Sequence, residues 1–149
     1  MDNDKKTANW LNQLLSEISE LENNAGIEIL KKCGKECCAS SSLYESAITV
    51  RNQNAAGKDI NTIFNQFRDE YYDSERLTKN GNAITLTFEA CTCPMVESGA
   101  SNSYLCHCTT GYSEKIFETL FDRKVTVDLE KSILRGDSYC KQVIRILQS

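Results

Sequence analysis

The spacing of the apolar residues changes from helical to alternating at Asn80-Gly81, a dipeptide that favours tight turns. Upstream of this turn, apolar residues recur every three or four positions, as in an amphipathic helix. Downstream, they alternate with polar residues, as in a half-buried strand, beginning with Ile84, Leu86 and Phe88. The sequence therefore predicts one domain over residues 1–149, with a helical part over 1–72 and a sheet part over 80–149.

Four helices are predicted upstream of the turn. The first begins after an N-cap at Thr7 or Asn9, and the second spans residues 25–38. The third spans residues 43–52, and Asp59 caps the fourth. The fourth helix carries a wide apolar stripe, which consists of Ile60, Ile63, Phe64, Phe67 and Tyr71. A stripe of this width indicates a helix that packs against a core.

Four strands and one helix are predicted downstream of the turn. The first strand spans residues 84–89, and the second, antiparallel to it, spans residues 103–108. A helix capped by Thr110 follows, and two further strands are expected at 125–130 and 140–146. Helices that lie before and between antiparallel hairpins are typical of an α+β domain. We expect N-terminal helices followed by β-β-α-β-β, with one antiparallel sheet and helices packed on one of its faces.

The charge and hydropathy of the chain argue against several kinds of partner. The formal net charge is -4, whereas nucleic acids and anionic membranes select clustered Lys and Arg. No segment approaches the ~20 apolar residues of a membrane span. No apolar segment typical of a secretory signal follows the first residues. We therefore expect a cytoplasmic protein, with no nucleic-acid or membrane partner, whose thiols stay reduced.

Half of the eight cysteines and the only histidine lie in residues 91–108. Two Cys-x-Cys pairs face each other there, and residues two apart project from the same side of a strand. Paired across one hairpin, the four thiolates could form a tetrahedral zinc site, and buried reduced thiols are the alternative. The candidate ligands of this hairpin site are Cys91, Cys93, Cys106 and Cys108. His107 alternates away from the cysteines beside it, so we expect it to face solvent or a hydrogen-bond partner.

Several short segments of the downstream part occur in a recognisable order. They are Cys106, Gly111-Tyr112, Val125-Thr126-Val127 and Gly136-Asp137-x-x-Cys140. Over residues 84–147 the chain resembles the C-terminal half of the 4-vinyl reductase superfamily. That group includes small-molecule sensor domains of bacterial regulators and predicted hydrocarbon-binding proteins, and its fold is similar to that of vesicle transport-particle subunits and haem-NO-binding domains. The L-2-amino-thiazoline-4-carboxylate hydrolase-like proteins share a similar ending.

The resemblance implies a structural zinc ion, which sensor domains of this group hold with three cysteines and a glutamate. Cys106 and Cys140 match the first and the last of these ligands. The other two positions differ from the family pattern, because Leu129 stands at the glutamate position and Ser132 at the cysteine position.

Two arrangements for a zinc ion therefore stay open. In one, the two Cys-x-Cys pairs meet across the hairpin. In the other, the zinc keeps Cys106 and Cys140, and Cys91 or Cys93 replaces the missing ligands. The second arrangement needs a β-bulge near Ala90, because a regular strand places Cys91 and Cys93 on the face opposite the core.

The resemblance also implies a ligand pocket between the helices and the sheet. Cys33 and Cys37 lie one helical turn apart and share a face, either as small core residues or as part of the pocket wall. The aromatic residues of the helical stripes belong either to the core or to this pocket. The candidate pocket residues are Cys33, Cys37, Phe64, Phe67 and Phe117.

The favoured hypothesis is a domain that binds a small apolar or heterocyclic molecule, with a Cys-ligated zinc ion that holds the hairpin. It would form a homodimer through its N-terminal helices. The alternative is a hydrolase of the L-2-amino-thiazoline-4-carboxylate hydrolase type, which uses a cysteine or a metal-bound water. A third hypothesis is a structural interaction module. The sequence contains no Ser-His-Asp motif, Gly-rich phosphate loop or His-Glu-x-x-His motif that would favour another enzyme class.

Overall fold

A computed structural model describes residues 3–54, 59–72, 74–90 and 93–147 of the chain, apart from the side chain of Asp4. The helices are α1 (Asn3–Ser19), α2 (Ala25–Ala39), α3 (Ser42–Gln53), α4 (Ile60–Tyr71), α5 (Pro94–Glu97) and α6 (Cys106–Phe121). The strands are β1 (Leu77–Asn80), β2 (Ala83–Phe88), β3 (Val125–Lys131) and β4 (Cys140–Ile146). Short 3-10 turns lie at Glu22–Asn24, Ser103–Leu105 and Ile133–Arg135.

The four strands form one antiparallel sheet in the order β1-β2-β4-β3. The β1–β2 hairpin turns at Gly81-Asn82, directly after Asn80, and Gly81 has a positive φ of 63° that glycine adopts without strain. The second hairpin, β3–β4, joins the first through pairing of β2 with β4. This topology confirms the predicted α+β class and the predicted β-β-α-β-β order.

The prediction of a strand over residues 103–108 is wrong. These residues form the 3-10 turn Ser103–Leu105 and the first turn of α6. Asn102 starts this turn, because its side-chain oxygen accepts a hydrogen bond from the Tyr104 amide at 2.9 Å. Leu105 and Cys106 are both buried although they are adjacent, which differs from the alternation expected of a half-buried strand. Cys106 and Cys108 therefore do not face the 91–93 segment across a hairpin.

The strand that pairs with β2 in its place is β1, which begins at Leu77, before the predicted start of the sheet at residue 80. The start of α1 also differs from the prediction, because the chain is already helical at Asn3. Thr7, predicted as an N-cap, lies inside the helix and donates its hydroxyl to the Asn3 carbonyl oxygen at 2.9 Å. The predicted N-cap of α4 is confirmed, since the Asp59 carboxylate accepts a hydrogen bond from the Thr62 amide at 2.8 Å.

The main hydrophobic core lies between one face of the sheet and the helices α3, α4 and α6. Its largest fully buried side chains include Phe64 and Phe67 of α4 and Phe117 of α6. The rings of Phe67 and Phe117 meet edge to face, with centroids 6.4 Å apart. The predicted apolar stripe of α4 therefore packs against α6.

Helices α2 and α6 cross with their backbones almost in contact. An added Cβ on Gly34 would lie 1.9 Å from the Cys108 carbonyl oxygen, and one on Gly111 would lie 2.3 Å from the Lys31 carbonyl oxygen. Glu114 of α6 forms ion pairs across the same crossing with Lys31 at 3.6 Å and Lys35 at 3.1 Å. The crossing fixes α6 over the sheet, and α6 in turn provides one wall of the site described next.

Candidate functional site

A cavity of about 650 Å³ lies between α6 and the sheet. Its other walls come from the junction of α2 and α3, from Tyr72 after α4 and from the start of α5. The sheet wall includes a row of three side chains on adjacent strands, Leu86, Gln142 and Leu129, because Gln142 pairs with both leucines. The volume is within the range of ~300–1,000 Å³ that is usual for small-molecule sites.

The wall of this cavity is largely apolar. Leu86, Phe88, Ile116, Phe117 and Leu129 line it, with methionine, proline and further leucine side chains. Among the described lining residues, none is Asp, Glu, Lys, Arg or His. A charged molecule inside the cavity would therefore lack a counter-ion from these residues, and its desolvation would be costly.

Five cysteines also line the cavity. They are Cys37, Cys93, Cys106, Cys108 and Cys140. Four of them belong to the predicted zinc ligands, and the fifth predicted ligand, Cys91, lies outside the described residues. Cys106 and Cys108 reach the cavity from α6, Cys140 from the start of β4, and Cys93 from the residue that precedes α5. The shared location of these thiols is therefore a wall of one cavity and not a β-hairpin.

These thiols do not by themselves form a metal site. Within residues 3–54, 59–72, 74–90 and 93–147, no three Cys, His, Asp or Glu side chains are arranged so that they could hold a metal ion. A structural zinc site needs four such ligands. The described residues therefore do not fit a zinc ion, and a zinc site that includes Cys91 stays a prediction.

The four positions singled out by the family resemblance all line the cavity. The Cys106 sulfur and the Ser132 hydroxyl are hydrogen-bonded at 3.2 Å, and both side chains are buried. The Cys140 sulfur accepts a hydrogen bond from the Ile133 amide at 3.4 Å. Leu129 lines the same cavity. At these four positions the cavity wall has two sulfurs, a hydroxyl and an apolar side chain, whereas the resemblance implies three cysteines and a glutamate.

Burial keeps the Cys108 thiol of the cavity wall protonated. Burial raises the pKa of the Cys108 thiol to about 11, and the nearby thiols of Cys93, Cys37 and Cys33 raise it further in the same direction. Cys38, beside the cavity in the core, has its pKa raised to about 11 mainly by burial. Thiolate is the nucleophilic form, so a raised pKa does not suit a catalytic cysteine at neutral pH.

His107 is half-buried on α6, and its ring meets the Tyr104 ring edge to face at a centroid distance of 4.7 Å. Burial lowers its pKa, and the charges of Arg135 and Lys31 lower it further. The described residues that line the cavity do not include His107. A neutral imidazole packed on a tyrosine ring fits a structural role better than proton transfer at the cavity.

The candidate pocket residues are divided between the cavity and the core. Cys37 and Phe117 line the cavity, whereas Phe64 and Phe67 are buried in the main core. Cys33 is exposed on α2.

One buried polar pair in the described cavity wall joins α6 to the sheet, and the sequence analysis did not predict it. Ser113 of α6 donates its hydroxyl to the side-chain oxygen of Gln142 on β4, and both residues are buried. A signal for it was present in the sequence. Gln142 shares parity with Cys140 and Ile144, so it occupies a core-facing position of its strand while carrying a polar amide.

A family model described as a family of unknown function (DUF6144) matches residues 1–149. The chain belongs to the DUF6144 family. A search of curated proteins gives no match for this DUF6144 chain.

A solved structure of similar fold is the trafficking protein particle complex subunit 3 from Naegleria fowleri, covalently bound to palmitic acid. It aligns with a TM-score of 0.52 and 12% sequence identity, over 97% of this chain and 93% of that chain. The likeness shows the fold and confirms that it is similar to that of a transport-particle subunit. The resemblance to the 4-vinyl reductase superfamily stays a prediction.

In the described part of the DUF6144 chain, every helix is too short or too polar to cross a membrane.

Proposed function

We propose that this DUF6144 chain binds a small, largely apolar molecule in the cavity between α6 and the sheet. One observation carries the proposal: a cavity of about 650 Å³ whose described lining is mostly apolar and contains no Asp, Glu, Lys, Arg or His. Protein interiors are close-packed, so a space of this size between α6 and the sheet favours an occupant.

The transport-particle subunit of similar fold is covalently bound to palmitic acid. Its bound group is a long apolar chain, which belongs to the ligand class that we propose here. The likeness supports the class of ligand, and the cavity residues of this chain support the place at which it binds.

The proposal includes a cytoplasmic location, where thiols stay reduced. Seven cysteines lie in the described part of the chain, and five of them line the cavity. A binding role uses these thiols as small, polarizable wall residues, which suits apolar ligands of irregular shape.

A cavity-filling substitution tests the proposal. Leu129→Trp places a larger side chain into the cavity from β3, and we expect it to weaken binding of the neutral fluorescent probe N-phenyl-1-naphthylamine by at least ~10-fold, through loss of apolar contact area. The measurement is a fluorescence titration of the wild-type protein and the variant.

Thr126→Trp is the matched control, because Thr126 is exposed and lies on the opposite face of the same strand. We expect this control to bind the probe as the wild-type protein does. Equal affinities for Leu129→Trp and the wild-type protein, or no saturable binding by the wild-type protein, would contradict the proposal.

A further inference from the structure

We propose that the side-chain amide nitrogen of Gln142 donates a hydrogen bond to the bound molecule. The ligand is then an uncharged, mainly apolar molecule that carries a hydrogen-bond acceptor such as a carbonyl oxygen. This inference rests on the proposed binding function, and it adds the chemical class of the ligand and the residue that orients it.

Gln142 is a polar residue placed at the centre of an apolar wall. Its side chain is 1% exposed and lines the cavity. It lies on β4, one of the two inner strands of the sheet, between its pairing partners Leu86 and Leu129. Burying an amide among such neighbours is unfavourable unless its donor and its acceptor are both satisfied.

Only one end of this amide has a partner in the described part of the protein. The side-chain oxygen of Gln142 accepts the hydroxyl proton of Ser113, whereas no described residue accepts a hydrogen bond from its nitrogen. In the described residues, every side-chain nitrogen or oxygen atom that is fully buried is hydrogen-bonded. Because the Gln142 nitrogen has no such bond, it is not fully buried and stays accessible. The open space that Gln142 lines is the cavity.

Ser113 fixes the orientation of the amide. Its single hydroxyl proton is donated to the Gln142 oxygen, which leaves the two amide protons of Gln142 for other acceptors. Ser113 lies on α6 and is itself buried, so the pair spans the two main walls of the cavity. A donor held in this way is pre-organised for an acceptor on the ligand.

The remaining lining decides the charge of the ligand. No described lining residue carries a cationic side chain that could neutralise a carboxylate, and none carries an acid that could neutralise an amine. An ionised group would therefore lose its hydration without a partner. A neutral carbonyl compound keeps the hydrogen bond to Gln142 without that cost.

A matched pair of probes tests this inference on the unmodified protein. 2-Acetylnaphthalene and 2-isopropenylnaphthalene have the same shape, and they differ in that a carbonyl oxygen replaces a methylene group. We expect the wild-type protein to bind the ketone about 5- to 10-fold more tightly, as one net hydrogen bond predicts. Competition against N-phenyl-1-naphthylamine gives both affinities, and 2-naphthoate, which is anionic at pH 7, should bind more weakly than the ketone.

Gln142→Met keeps the length of the side chain and removes the donor. We expect this variant to lose the preference for the ketone while it binds the hydrocarbon within about 3-fold of the wild-type protein. Gln13→Met is the control, because Gln13 is an exposed residue of α1, and it should keep the wild-type preference.

Three results would overturn the inference. Equal binding of ketone and hydrocarbon by the wild-type protein would contradict the proposed hydrogen bond from Gln142, but it would not contradict the binding function. A preference that persists in Gln142→Met would assign the donor to another residue. If neither neutral probe binds the wild-type protein, the inference fails together with the binding function on which it rests.

Discussion

Gly34→Ala is expected to lower the free energy of unfolding by at least ~2 kcal/mol, because it places a methyl group inside a backbone contact. The added Cβ would lie 1.9 Å from the carbonyl oxygen of Cys108. Neither partner is a flexible side chain, so relief requires that α2 and α6 move apart. In an isolated helix the same substitution would be favourable by ~1 kcal/mol. A loss of stability would therefore come from the contact between α2 and α6.

Urea-induced unfolding followed by circular dichroism measures this effect. Cys33→Ala is the matched control, since Cys33 is the adjacent residue of α2 and is exposed, and its stability should stay close to that of the wild-type protein. A Gly34→Ala protein as stable as the wild type would show that α2 and α6 do not cross at this residue.

Phe67→Ala is expected to destabilise the protein by ~3–5 kcal/mol, the usual cost of removing a fully buried aromatic side chain. Phe67 is 0% exposed, and its ring meets the rings of Tyr71, Tyr72 and Phe117 at centroid distances of 5.5, 5.6 and 6.4 Å. The substitution removes all three ring contacts and leaves a void that the surrounding helices fill only in part.

Thermal or urea unfolding measures the loss of stability, and two further variants serve as comparisons. Phe67→Leu keeps most of the buried area and should cost less than Phe67→Ala, whereas Tyr71→Ala, at a residue that is 38% exposed, should cost less than either. A Phe67→Ala protein of wild-type stability that no longer binds N-phenyl-1-naphthylamine would instead identify Phe67 as a pocket residue.

Most of the architecture could be predicted from the sequence because local signals and tertiary packing agree. The alternation of Ile84, Leu86 and Phe88 predicted β2, and the Asn80-Gly81 signal marked the turn that precedes it. The partner strand β1 could not be assigned, because four residues with a single buried apolar side chain, Leu77, give little periodicity.

In the segment 103–108, the local spacing of apolar residues led to the wrong prediction of a strand. Cys-x-Cys is compatible with a strand, and Leu105 with His107 adds an alternation of apolar and polar residues. The helix forms because Asn102 caps the preceding turn and because Gly34 and Gly111 let α2 and α6 approach closely. That approach is a tertiary contact, which no window of the local sequence contains.

The sequence predicted several residues of the site, but it did not predict how they are arranged. The concentration of cysteines in residues 91–108 identified a real neighbourhood, since Cys93, Cys106 and Cys108 line one cavity, and Cys140, which the family resemblance singled out, lines it too. The sequence could not reveal that this neighbourhood is a largely apolar space, because its walls come from elements far apart in the chain. Gln142 could have been found, as a polar residue at an inward position of a strand whose neighbours are apolar.

Isotope-filtered nuclear Overhauser effects between 2-acetylnaphthalene and methyl-labelled protein locate the bound molecule. We expect contacts from the naphthalene protons to the methyl groups of Leu86, Ile116 and Leu129, which line the cavity. Contacts confined to Leu14 and Leu21, which are exposed apolar residues of the N-terminal part, would contradict binding in the cavity between α6 and the sheet.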